Sequence, residues 1–181
     1  MRRVSYYIVT IDNQNPPNRS IQSNTVIVKV MAVSNQRVVI DLQVGSLYAM
    51  VNEKFITLDL APFSKLDRVF VPLRFIAEAF GAKIEWKEDE SQNGEGSIKI
   101  IIQKKEGIVL TVLMHTLNKS AFISLEKNGI IIETKEIILD APAFIVKPAN
   151  RTVVPIRFIA ESFGANVDWN EETKAIRITL E

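Results

Sequence analysis

Two stretches of the chain repeat one arrangement of apolar and polar positions. In the first, Leu73, Ile76, Ala77 and Phe80 recur at i, i+3, i+4 and i+7, after which Ala82, Ile84 and Trp86 alternate with Lys83, Glu85 and Lys87. In the second, Ile156, Ile159, Ala160 and Phe163 give the same stripe, and Ala165, Val167 and Trp169 alternate with Asn166, Asp168 and Asn170. The first spacing predicts a short amphipathic helix and the second a half-buried strand, with both tryptophans on the core side. Pro72 and Pro155 sit where a first helical turn tolerates a missing N–H, and Gly81 and Gly164 sit where a left-handed residue closes a helix, so the first helix is expected over about 72–80. A helix this short is marginal alone, since isolated helices need roughly 12–15 residues. A sheet must hold it.

Strand signals surround each helix. "SIKIIIQ" (97–103) and "AIRITLE" (175–181) read as returning strands that complete hairpins. Upstream of the second helix, Asn128-Gly129 between apolar segments is a strong hairpin signal, and "VNEKFITL" holds the equivalent place before the first. The expected class is α+β: two repeated units, each a mostly antiparallel sheet packed on one short α-helix.

From Arg68 to Glu88 and from Arg151 to Glu171, 13 of 21 positions are identical, which marks a duplication. "ITLDLAPF" (56–63) and "IILDAPAF" (137–144) extend the match upstream. Unit one is placed at 37–106 and unit two at 107–181. Residues 1–36 fall outside both; "SYYIVTI" and "NTVIVKVMAV" are strand-like and flank a loop with paired prolines. They read either as an added β-hairpin or as the tail of a preceding module.

Composition narrows the chemistry. Lysine plus arginine number 22 against 21 aspartate plus glutamate, so no basic excess exists to follow a phosphate backbone, and nucleic acid is not an expected partner. Apolar runs are far below the roughly 20 residues that span a bilayer, and the first residues lack the unbroken apolar stretch of a signal peptide, so no membrane insertion is expected. There is no cysteine, which removes disulfides and thiolate chemistry, and the one histidine, His115, is too few for an imidazole copper site. A Ser-His-Asp triad would have to use His115, and no Gly-x-Ser-x-Gly elbow accompanies it. His115 reads as an ordinary strand-end residue. The calcium-loop imitation beginning at Asp89 puts Ile100 where a bidentate glutamate belongs, and the turn Asp168–Glu172 reads as a solvated acidic hairpin. No catalytic residue, metal or cofactor is expected.

Three duplicated features remain. Arg74 with Glu78 and Arg157 with Glu161 are i, i+4 pairs in the weaker orientation for a lone helix, so each arginine is expected to reach past its helix and tie it to the sheet. Asp59 and Asp140 read as turn residues, and Arg68 and Arg151 as exposed loop residues. Tyr6, Tyr7 and Tyr48 are the candidates for an open aromatic platform.

The motif "VPLRFIAEAFGAKIEW", repeated as "VPIRFIAESFGANVDW" and followed by a turn and a closing strand, resembles the copper amine oxidase N-terminal-like domain, or stalk domain, over about 37–181. The resemblance implies a non-catalytic module of bacterial surface or secreted proteins, with Pro72, Arg74, Glu78, Gly81 and Trp86, and Pro155, Arg157, Glu161, Gly164 and Trp169, as its structural motif. It further implies an extracellular or cell-envelope location and contact with a protein or a cell-wall polymer, without naming a ligand. A carbohydrate-binding module is the alternative. Exposed sheet edges, above all "NTVIVKV", offer pairing between two chains as a homodimer or with a neighbouring module.

Overall fold

The computed structural model of the chain describes residues 37–89 and 95–181. The first half runs β1 (Val38–Gln43), β2 (Tyr48–Val51), β3 (Lys54–Thr57), β4 (Phe63–Lys65), β5 (Arg68–Pro72), α1 (Leu73–Ala79), β6 (Lys83–Glu88) and β7 (Gly96–Gln103). The second runs β8 (Ile108–His115), β9 (Ser120–Lys127), β10 (Ile130–Ile138), β11 (Phe144–Val146), β12 (Arg151–Pro155), α2 (Ile156–Ser162), β13 (Asn166–Asn170) and β14 (Ala175–Leu180). The class is α+β, with antiparallel sheets and one short helix in each half. The expectations for residues 1–36, with the edge "NTVIVKV" and the rings of Tyr6 and Tyr7, lie outside the described residues, and the Asp89 loop lies partly outside them.

Each helix forms as its spacing predicts. Leu73, Ile76, Ala77 and Phe80 are buried, as are Ile156, Ile159, Ala160 and Phe163. Pro72 and Pro155 stand one position earlier than expected, as N-caps with φ of −57° and −61°. At the far end Gly81 and Gly164 take φ of +70° and +84°. The Gly81 N–H bonds Glu78 O at 2.9 Å and the Ala82 N–H bonds Ala77 O at 2.8 Å; Gly164 and Ala165 repeat the pattern on Glu161 and Ala160. This is the Schellman closure, which satisfies carbonyls a seven-residue helix would otherwise leave bare. The hairpin turns also follow their signals, with both central residues left-handed at Asn128-Gly129 and at Asn52-Glu53.

The halves are not two beads. Hairpin β6–β7 closes the first half in sequence, yet it joins the sheet ordered β10-β9-β8-β7-β6, whose other strands belong to the second half. Hairpin β13–β14 does the reverse in the sheet β13-β14-β1-β2-β3. The third sheet, β11-β12-β5-β4, joins the halves directly, with Val71 opposite Val154, its own counterpart in the repeat. The architecture is therefore topologically two-fold, each half handing its last hairpin to the other. A bidentate pair, Arg177 to Asp41 at 2.7 and 3.2 Å, spans β14 and β1.

One apolar cluster runs through both halves, from Ile40 and Leu42 to Ile176 and Ile178. At its centre the Phe80 and Phe163 rings meet edge to face, 5.3 Å between centroids, so the two helix ends share one contact. The Lys104 ammonium reaches the Phe163 carbonyl at 3.2 Å, placing a cation at the α2 C-terminus. A smaller cluster of Phe63, Phe70, Ala141, Phe144 and Val153 packs the third sheet.

Candidate functional site

A groove of about 730 Å³ lies beside α2. One wall is the β4–β5 turn with Arg68, the other is α2 with Arg157, Phe158 and Glu161, and the end of β10 (Ile137, Ile138) and Trp169 of β13 supply apolar surface. Its charges are matched rather than massed. Arg68 Nε donates to Asp140 Oδ2 at 2.9 Å, Arg157 lies 3.9 Å from Glu161, and the Lys174 ammonium bonds Glu171. Trp169 Nε1–H also donates to Glu171 Oε2 at 2.6 Å, and the Lys174 ammonium stands 5.7 Å from the indole centroid. The Lys174 ammonium, with the indole N–H second, holds the Glu171 carboxyl below the usual carboxylate range. An indole flanked by satisfied ion pairs offers a flat apolar surface and several hydrogen-bonding groups without a net field. That combination suits a neutral or zwitterionic chain better than a phosphate.

The motif arginines do not do what their spacing suggests. Arg74 and Arg157 lie on the outer face of their helices with Glu78 and Glu161, and Arg157 makes only a loose pair in which both side chains are more than half exposed. The reason is geometric: positions 73, 76, 77 and 80 turn inward, which leaves 74 and 78 on the solvent face. The tie is made instead by Arg68 and Arg151, the first residues of β5 and β12 rather than loop residues. Arg68 of the first half holds Asp140 of the second, and Arg151 of the second holds Asp59 of the first. Asp59 and Asp140 do lie in bends after β3 and β10, and they serve as acceptors for the opposite half as well. A duplicated charge of each sign was the signal available, though nothing in one unit alone tells which copy it meets.

The tryptophans are also placed differently. Each points to the inner side of its strand but sits at the rim, with Trp86 41% exposed and Trp169 half-buried. Trp86 lies over Gly96, where an added Cβ would come within 2.7 Å of the ring and 2.4 Å of the Lys87 carbonyl oxygen. Tyr48 is 68% exposed, and Phe55, which the sequence did not single out, is 80% exposed. The register pairs Tyr48 with Thr57 and Met50 with Phe55, so both rings lie on one sheet face.

His115 is a strand-end residue as expected, and it is engaged on both sides. Its Nδ1 lies 2.9 Å from the Thr116 carbonyl and its Nε2 2.6 Å from Asp89 Oδ2, and these two oxygens favour the protonated ring and raise its pKa. Among the described residues no helix is long and apolar enough to cross a membrane.

The family model described as the copper amine oxidase N-terminal domain matches residues 20–93 and 99–178, in two consecutive copies. Neither a curated protein nor a solved structure matches the chain.

Proposed function

The chain belongs to the copper amine oxidase N-terminal domain family, a non-catalytic stalk-type domain, and from that premise we propose that it is a binding module of a bacterial surface or secreted protein. Its groove beside α2 takes a cell-envelope polymer or an extended protein segment. The observation that carries this reading is the groove itself: about 730 Å³, lined by Trp169, Phe158 and Ile138 and by the ion pairs of Arg68 with Asp140 and Lys174 with Glu171. The location proposed is extracellular or at the cell envelope.

Binding to insoluble cell-wall material and to soluble polysaccharides tests the proposal. Arg157 and Glu161 are exposed and can be changed without loss of core packing. Saturable binding that Arg157→Ala/Glu161→Ala weakens at least about tenfold, a loss of about 1.4 kcal/mol, supports the groove. The carbohydrate-binding reading rests on Tyr48 and Phe55, and binding lost only in Tyr48→Ala/Phe55→Ala moves the site there. Failure to bind any polymer leaves a protein segment as the ligand class to be assayed next.

A further inference from the structure

We propose that β10 is the surface through which two copies of this chain pair, edge to edge and antiparallel, about a two-fold axis at Thr134. Among the described residues β10 closes one side of its sheet and bonds only β9, which leaves its outer N–H and C=O groups without a strand partner there. Ile130, Ile131, Ile132 and Ile138 are 69, 65, 56 and 68% exposed, a concentration of apolar surface that edge strands are normally spared. The usual protection for such an edge is a charge, and here the charges are arranged so that a second copy cancels them.

The strand reads Ile-Ile-Ile-Glu-Thr-Lys-Glu-Ile-Ile from 130 to 138. Reversed on itself about Thr134, it sets Glu133 against Lys135 of the other copy, twice by symmetry, and places the apolar arm Ile130–Ile132 of each copy against Ile137–Ile138 of its mate. Thr134 and the charges flanking it lie in the part of the ladder that is in unbroken register with β9; the irregularity falls between Ile131 and Glu133. Only Glu136 opposite Ile132 is unmatched. Opposite charges directly across an antiparallel ladder stabilise it and like charges oppose it, so this register is favoured over neighbours that lose the double Glu–Lys match. Pairing would extend a five-stranded sheet to ten strands, which open sheets accept.

The full chain in sedimentation velocity over a range of concentrations gives the test. Glu133→Lys and Lys135→Glu should each raise the dimer dissociation constant about tenfold or more, because both symmetric pairs become repulsive. The double exchange, Glu133→Lys with Lys135→Glu, should restore it to within about threefold. All these positions are exposed, so folding is not at stake. Thr134→Cys introduces the sole cysteine, and on the axis it should cross-link two copies faster than Glu136→Cys. A chain that stays monomeric at every concentration overturns the proposal. So does a dimer indifferent to the single charge reversals, or faster cross-linking at 136 than at 134.

Discussion

Phe163→Ala tests the claim that the two halves form one cooperative body. Phe163 is fully buried and Phe80 nearly so, and their rings meet edge to face where the two helices end. Truncating a buried phenylalanine costs about 3–5 kcal/mol in lost transfer energy and residual cavity. The aromatic geometry accounts for about 0.5–1.5 kcal/mol beyond the area buried. For a body of this size each kcal/mol moves the melting midpoint by about 2–4 °C, so the variant should melt about 6–20 °C lower. Exchange of hairpins dictates how it melts. Trp86 lies in the sheet completed by β6–β7 and Trp169 in the sheet completed by β13–β14, and the chain has two tryptophans. Trp86→Phe and Trp169→Phe backgrounds therefore leave one fluorescence reporter on each sheet. Both reporters should move together with Phe163→Ala, and a double-mutant cycle with Phe80→Ala should return a coupling of about 0.5–1.5 kcal/mol. A Trp86 signal that melts where the wild type does, while the Trp169 signal falls, would refute a shared core.

Three further outcomes follow from named contacts. Gly96→Ala should destabilise by about 1–3 kcal/mol, as overpacking does, because the Lys87 carbonyl oxygen at 2.4 Å from the new Cβ is backbone and cannot swing aside; urea titration reads it. The Thr116 carbonyl first, then Asp89 and Glu95, raise the His115 pKa above its ordinary 6.5 against partial desolvation. The stability it adds is therefore full below that ordinary value and fades as pH climbs through the higher folded value, and His115→Gln should flatten this part of the pH–stability curve; parallel curves would mean the imidazolium contributes nothing. Residues 108–181 alone should form a homodimer, since β14 lacks β1 and the open edge of β8 is its counterpart. A folded monomer of that fragment, seen by light scattering, would contradict the exchange.

Much of the local structure was legible in the sequence because its causes are local. The i, i+3, i+4, i+7 stripe decided which helix face is buried, the proline and glycine decided where each helix begins and ends, and Asn128-Gly129 decided a turn. What was not legible depends on which copy of a repeat meets which. Identical strands pair as well across halves as within one half, so alternation around Ile84 or Val167 cannot say that β6–β7 belongs with β8. The arginine roles were misplaced for a related reason: i, i+4 spacing drew attention to Arg74 and Arg157, while Arg68 and Arg151 have partners more than 70 residues away in sequence. The groove needs residues from β4, β10, α2 and β13, and no window of sequence contains it.

The reciprocal clasps gain their meaning from the exchange. Exposed ion pairs such as Arg68–Asp140 contribute at most about 1 kcal/mol each, too little to hold the halves together against a shared apolar core. Their value lies in register. β5 and β12 pair through the related Phe-Val-Pro and Val-Val-Pro segments, and a sliding pair would expose residues such as Val71 and Val154, both fully buried. A guanidinium at the start of each strand, fixed to an aspartate just past the last strand of the other half's sheet, is satisfied at both ends only in the observed register. One slip would strand two charges at once. The duplication thus supplies both the self-matching strands and the paired charges that pin them, and it is this pinned two-fold junction that sets Arg68 and Asp140 together on the wall of the groove.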